Sequence, residues 1–243
     1  MKRVIILSLV IICGCLKLPT QPTAVPKYNV LAILDPMKKN QEVIVDKVYT
    51  FDEDANKKIM PLAKEVELQG AGFEVGFLPI IDTPIVYYDT SVVFYVMPES
   101  IYTLSILFND GIVMTNKTKV PGAFYIVWPM PGDTIDIADS LEAIVWTSSE
   151  GAKEYLVSLF TEDSAVTTFA TQDTILPALF ISFYSPDIEE GLYCVEIKAI
   201  DENYYQYKEE KISTADKVIG CLGSIFRISE YYYLKNTSPK SKI

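Results

Sequence analysis

A chain of 243 residues with 32 Asp and Glu against 21 Lys and Arg carries a formal charge of −11, the wrong sign for a surface that meets nucleic acid or anionic lipid headgroups. It contains no histidine, which excludes imidazole acid–base chemistry, histidine-dependent serine or cysteine triads and His-ligated zinc. Among hydrolytic chemistries a carboxylate pair remains open, because glycoside cleavage needs only two suitably spaced Asp or Glu side chains.

The N-terminus has Lys2 and Arg3 followed by the apolar run Val4 to Ile12. That run is too short to cross a bilayer, which takes roughly 20 apolar residues, so residues 1–14 read as a signal peptide. Ile12-Cys13-Gly14-Cys15 resembles the lipobox of a bacterial lipoprotein. The resemblance implies cleavage after Gly14 and acylation of Cys15, including palmitate, as a membrane anchor; an ordinary secretory signal is the alternative. Residues 15–27 hold three prolines and little charge, the composition of an extended tether. Leu16 stands where enteric-type sorting places an aspartate to keep a lipoprotein in the inner membrane, so the expected location is the outer membrane or cell surface.

From Tyr28 the pattern becomes short β-type runs. Tyr28 to Leu34 and Glu42 to Tyr49 are rich in β-branched and aromatic residues. Met60 to Glu65 reads as one helical turn before Val66 enters a strand, and Phe73, Val75 and Phe77 alternate as on a half-buried strand. Ser91 to Met97, Thr103 to Phe108 and Ile112 to Lys119 form a predicted three-stranded meander. Asn109-Asp110-Gly111 supplies its tight turn. Val120-Pro121-Gly122-Ala123 ends this half, which makes 28–121 an N-terminal β-sandwich domain and 122–233 a second domain.

In the second half, a strand at Phe124 to Trp128 precedes Leu141 to Thr147 with Trp146 as the core tryptophan. Gly151 to Leu159 supplies a turn and then a strand, and Gly191 to Ala199 puts Tyr193, Val195, Ile197 and Ala199 on one face. These residues resemble a fibronectin type III or immunoglobulin-like sandwich, with Tyr193 at the tyrosine corner. The chain departs from that pattern after Ala199, where Ile200 to Tyr207 and then Ile219 to Ser229 continue it. It is also similar to two-part Gram-negative lipoproteins of unknown function that close with a Gly-rich strand, here Ile219 to Phe226. The resemblance carries no catalytic residues. The tail 234–243 is expected to be disordered.

Three groups are candidate sites. Asp133, Asp136 and Asp139, three apart, offer hard oxygen ligands of the kind Ca²⁺ takes, although turn formation uses aspartate in the same way. Cys194 and Cys221 are the cysteines left once Cys13 is removed and Cys15 acylated; an oxidising envelope permits a bridge between them, with two free thiols as the alternative. Tyr204, Tyr205 and Tyr207 read as a strand whose rings either bind a ligand or pack. The fold class is therefore all-β, two sandwiches. The expected function is a non-enzymatic binding module that needs no cofactor, touches the membrane through its lipid, and contacts a protein or glycan. A carboxylate-dependent polysaccharide hydrolase and a purely structural spacer are the alternatives.

Overall fold

The computed structural model describes residues 27–48, 61–83, 85–91, 94–161, 165–209, 214–215 and 218–237. The signal peptide, the lipobox and all of the tether except Lys27 lie outside the described residues. The first strands are β1 (Tyr28–Leu34), β2 (Glu42–Lys47), β3 (Ala63–Gly70), β4 (Phe73–Pro79), β5 (Val86–Asp89), β6 (Ile101–Phe108) and β7 (Val113–Lys119). After them come β8 (Ile126–Trp128), β9 (Thr134–Asp136), β10 (Ala143–Trp146), β11 (Glu154–Phe160), β12 (Ala165–Thr171) and β13 (Ile175–Pro177). Helix α1 (Ala178–Tyr184), β14 (Gly191–Ile200), helix α2 (Glu202–Lys208), β15 (Thr214–Ala215) and the long β16 (Val218–Lys235) complete the chain. Among the described residues the protein is all-β apart from these two short helices.

Strand order explains the first unit. The ladder runs β16-β1-β2-β5-β4-β3-β6-β7. β4 bonds β3 through its first residues and β5 through Phe77 to Pro79, so it turns the sheet back on itself. The ring of Tyr28 on β1 then stacks on Phe108 of β6 at 3.9 Å, although four strands separate them in the ladder. Alternation drives this closure: Tyr102, Leu104, Ile106 and Phe108 of β6 are all buried, and each such side chain contributes roughly 1.5–3 kcal/mol. The predicted turn at Asn109 to Gly111 joins β6 and β7, with Gly111 at φ 84°.

Two expectations for this unit fail locally. Ala63, Lys64 and Glu65 belong to β3 rather than to a helical turn, because β6 pairs with this stretch and the Tyr87 hydroxyl bonds both backbone groups of Ala63. Residues 94–97 form no strand; the Met97 amide donates to Tyr102 Oη at 2.8 Å, so a side chain takes the place of a neighbouring strand. Phe94 and Val96 still bury their side chains.

The second unit is a sandwich of two sheets. One runs β13-β10-β8, the other β12-β11-β14-β16, with β9 added parallel to β16. A three-stranded sheet facing a four-stranded one in this order is the fibronectin type III-like arrangement expected from the sequence. Trp146 is buried against Tyr155 at 5.5 Å. Tyr193 Oη donates to the Glu189 carbonyl four residues upstream at 2.8 Å, the hydrogen bond of a tyrosine corner.

β16 joins the two units. Its residues Val218 to Ser224 pair parallel with β1, and Ile225 to Leu234 pair antiparallel with β14. The boundary expected near Pro121 is therefore crossed a second time by the chain, and Val218 and Leu222 pack into the first core rather than the second. Period-two alternation sorts the even-numbered side chains: Val218 and Leu222 enter one core, Phe226, Tyr232 and Leu234 the other. Ser224 falls between them and is fully buried. Leu234 is buried and Lys235 pairs with Asp136 at 3.6 Å, so the end expected to be disordered from 234 is ordered through Thr237, whose Oγ1 donates to Asp136 Oδ2 at 2.6 Å.

A polar knot closes the junction. Asp201 Oδ1 accepts from the Tyr204 amide at 2.8 Å and the Ser224 amide at 3.1 Å, while Thr118 Oγ1 donates to Oδ2. Asp201 thereby caps α2, which lies on the other face of β16. Asn203 Nδ2 donates to the carbonyls of Lys117 and Leu222, tying α2 to both β7 and β16. Arg227 Nε stands 3.0 Å from the buried Asp35 Oδ2, a charge contact at an angle that makes no hydrogen bond; its Nη1 reaches Glu196 Oε2 at 3.4 Å. Ser149 Oγ donates to the Gly122 carbonyl at 2.6 Å.

Two outcomes follow from the junction. A Cβ on Gly220 would stand 2.1 Å from the Val30 carbonyl oxygen, a backbone atom of β1. Gly220→Ala should cost about 3 kcal/mol or more in urea denaturation, whereas Gly76→Ala, with nothing within 4 Å, should change stability by less than about 1 kcal/mol. Burial pushes the Asp201 carboxyl above its ordinary value of 3.8, with the donors from Thr118, Tyr204 and Ser224 pulling it part of the way back. A carboxyl raised in the folded state keeps a proton that the unfolded chain has released, so its favourable contribution is largest below pH 3.8 and declines as pH rises through the folded value. Against Asp201→Asn, which cannot titrate, wild-type stability should therefore fall as pH rises from about 4. A wild type that gains on the variant over that range would contradict this assignment.

Candidate functional site

The exposed surface with the most chemistry lies on the open flank of the second sandwich. There the last strand of one sheet, β12, faces the last strand of the other, β13, across the gap between the sheets. Among the described residues β12 pairs only with β11, and β13 only with β10. Between them opens a cavity of about 530 Å³ lined by Thr168, Phe169, Thr171, Asp173, Phe180 and Tyr184 among others. That size falls within the roughly 300–1,000 Å³ of ordinary ligand pockets.

α1 makes this flank aromatic. Its buried residues are Ala178 and Ile181, which leaves Leu179, Phe180, Phe183 and Tyr184 turned outward. Phe183 is 75% exposed, Tyr184 63% and Phe180 49%. The rings are contiguous: Tyr184 meets Phe183 at 5.0 Å, Phe180 at 5.8 Å and Phe169 of β12 at 6.3 Å. A helix that turns rings toward water costs hydrophobic free energy unless something covers them, and contiguous patches of this sort mark interaction surfaces. Among the described residues Asp173 is the single charged one lining the cavity.

Sequence reasoning passed over this site. The run Ala178-Leu179-Phe180-Ile181-Ser182-Phe183-Tyr184 has no charge, and its rings stand at i, i+3 and i+4. Helical spacing of that kind places them on one face, the signal that could have found it.

The residues singled out from sequence have other places. Tyr204, Tyr205 and Tyr207 lie on helix α2, not on a strand, because Asp201 caps the segment, Glu202 lies in its first turn and Lys208 in its last. All three are half-buried. Tyr204 packs where Gly223 leaves room, since a Cβ there would stand 2.7 Å from the Tyr204 Cβ. Tyr205 lies beneath the ammonium groups of Lys153 and Lys208, 5.5 and 5.8 Å from the ring centre, and the Lys208 ammonium also pairs with Glu154. These tyrosines fasten α2 to the sheet and form no open patch. On β16, Tyr231 and Tyr233 are exposed while Tyr232 between them is buried and donates to the Pro129 carbonyl at 3.1 Å.

Cys194 and Cys221 are free thiols. Cys194 faces Tyr231 on β16, whereas Cys221 faces Leu31 ten residues earlier on that strand, about 33 Å away at strand rise. A disulfide, which needs Cα atoms within about 7 Å, cannot form between them. Cys221 is buried, which pushes its thiol up to about 12, and its Sγ donates to the Asn203 carbonyl. The three aspartates are occupied by local structure. Asp133 accepts from the Met130 amide, Asp139 from the Leu141 amide, and Asp136 from Ala138 and Thr237. The Thr237 hydroxyl, with the other donors and Lys235, holds the Asp136 carboxyl below its usual value. Cys15 lies outside the described residues.

No protein-family model matches the sequence, and no curated protein matches it. Among solved structures, the chain is similar to the fibronectin(III)-like modules of CbhA from Clostridium thermocellum, at 11% identity over 88% of this chain and 92% of that one, with a TM-score of 0.25. It is also similar to the FN1–FN3 domains of chicken CNTN1, at 13% identity over 85% of this chain and 65% of that one, with a TM-score of 0.27. A Ca²⁺-stabilized adhesin by which an Antarctic bacterium binds ice matches at 8% identity over 88% of this chain and 50% of that one, with a TM-score of 0.21. Likeness at these TM-scores decides nothing about activity, and the fibronectin-like arrangement rests on the strand order and the tyrosine corner.

Proposed function

We propose that the chain is a non-catalytic binding module, anchored to an outer membrane or cell surface through acylated Cys15, that contacts its partner through the aromatic flank of its second sandwich. The observation that carries this reading is the cluster of Phe180, Phe183 and Tyr184, exposed beside two strands that end their sheets. The path of the chain supports it. Tyr28, the first residue of β1, pairs with Val218 at the start of β16, at the end of that strand away from the second sandwich. Phe169 of the flank stands level, through Val157 and Ile197, with Ile228 of β16, about 33 Å along the strand from Val218, which sets the flank apart from Tyr28. Among the described residues the cavity lining includes one carboxylate, Asp173, where a glycosidase needs a pair, and this supports binding over hydrolysis.

Both halves of the reading can be checked in intact cells. Wild-type protein should incorporate a palmitate analogue and sediment with membranes, and Cys15→Ser should do neither; a variant that still labels sinks the anchor. A photo-crosslinking residue at Phe183 should give a repeatable adduct with a protein or glycan. Tyr184→Ala with Phe180→Ala should abolish that adduct while leaving the urea midpoint within about 1 kcal/mol of wild type, as for exposed positions. An adduct that survives the double substitution places the partner elsewhere.

A further inference from the structure

The free edge of β12 bears on what kind of partner the flank takes. This strand, Ala165-Val166-Thr167-Thr168-Phe169-Ala170-Thr171, is uncharged and contains no proline. Its pairing with β11 is regular from Thr167 to Thr171, with one irregularity near Ala165. Proteins ordinarily protect such an edge with lysine, proline or a covering element. Among the described residues, the other strands that end the two sheet orders follow that rule: β7 carries Lys117 and Lys119, β8 is followed by Pro129, and β13 ends in Pro177 before α1. β12 alone among these four has no such guard within its own residues.

We propose that the flank receives an extended polypeptide segment, which adds to β12 as a further strand, sets alternate side chains against Phe169, Phe180 and Tyr184, and brings a basic residue to Asp173. This deepens the binding-module reading and rests on it. Three features converge. The outer side of β12 presents backbone N–H and C=O groups at strand spacing, and a polypeptide is the ligand whose own groups repeat at that spacing. The rings stand beside the edge, where an added strand about 4.8 Å from β12 would direct every second side chain. Among the described residues the cavity's one charge is negative, in a chain of net charge −11, so a cationic residue is the complementary choice and an acidic segment is repelled. A neutral glycan would use the ring faces but would leave the backbone edge unpaired.

The test uses the full chain and a fluorescent synthetic peptide of alternating threonine and valine, with a central phenylalanine and a lysine at each end. Fluorescence anisotropy should show saturable binding. N-methylation of one alternate set of peptide nitrogens should weaken it by about tenfold or more, because several ladder hydrogen bonds of roughly 1 kcal/mol each are lost. Methylation of the other set, which faces away, should leave it unchanged. Exchanging the end lysines for glutamates should weaken binding to wild type, and Asp173→Asn should shrink the difference between the two peptides. Equal binding of both methylated forms overturns strand addition. So does binding of cellohexaose, a neutral oligosaccharide, at the flank of a protein that ignores the peptide, but that result leaves the binding-module reading standing. If neither probe binds and the cell adduct is unaffected by Tyr184→Ala with Phe180→Ala, both readings fall.

Discussion

A single unbroken strand, Val218–Lys235, bonds β1 along its first part and β14 along its second, and this imposes a constraint on everything around it. A strand has one twist and one alternation, so both sandwiches must meet it on the same face and in compatible register. That is why its even-numbered residues supply both cores and why Ser224, between them, must be polar: it stands where neither core reaches and where Thr118 and Asp201 need partners. The opposite face, with Cys221 and Ile225 buried, needs a cover, which α2 provides. The helix is thus a consequence of the shared strand, and its tyrosines belong to the joint.

The same constraint accounts for the close approaches in β16. Gly220 lets β1 come near enough to pair, and Gly223 makes room for Tyr204. Neither glycine is at a turn; each marks a place where backbone or helix must pass over the strand with no side chain between. Arg227, on the stretch of β16 that pairs with β14, reaches Asp35 just after β1 and Glu196 of β14, so one side chain makes charge contacts to both units. At the far side of the second sandwich the situation is reversed: β12 and β13 end their sheets, α1 turns rings outward, and the structure is open where the junction is sealed.

Much of this was legible from residue order. Tyr28 to Leu34, Thr103 to Phe108 and Gly191 to Ala199 alternate clearly enough to be read as strands, Asn109 to Gly111 is a turn by its own chemistry, and Trp146 and Tyr193 occupy the places expected of them. What was not legible depends on distant partners. The residues Tyr204 to Tyr207 have the composition of a strand, and only the cap at Asp201, fixed by Thr118 and Ser224 from remote segments, makes them a helix. Ala63 to Glu65 could turn helically in isolation and are extended because β6 pairs with them and the Tyr87 hydroxyl bonds Ala63. The bridge between Cys194 and Cys221 was compatible with chemistry and was excluded by register, since both lie along one pair of strands at widely separated levels. The aromatic flank was overlooked for another reason: an uncharged run such as Ala178 to Tyr184 resembles core until the fold shows which side it faces and brings Phe169 of β12 beside its three rings.

The central claim is that β16 makes the two sandwiches one body, which sets the aromatic flank at a fixed distance from Tyr28 at the start of β1. Pulsed electron–electron resonance between spin labels at Ile81 in the first unit and Leu141 in the second, 96% and 91% exposed, tests it directly when the labels are carried on a bio-orthogonal side chain that leaves Cys194 and Cys221 in place. The account predicts one narrow distance distribution in the native protein and a broadened one in Gly220→Ala. A broad or two-peaked distribution in the native protein would mean that the units move about Ser224, and would contradict it.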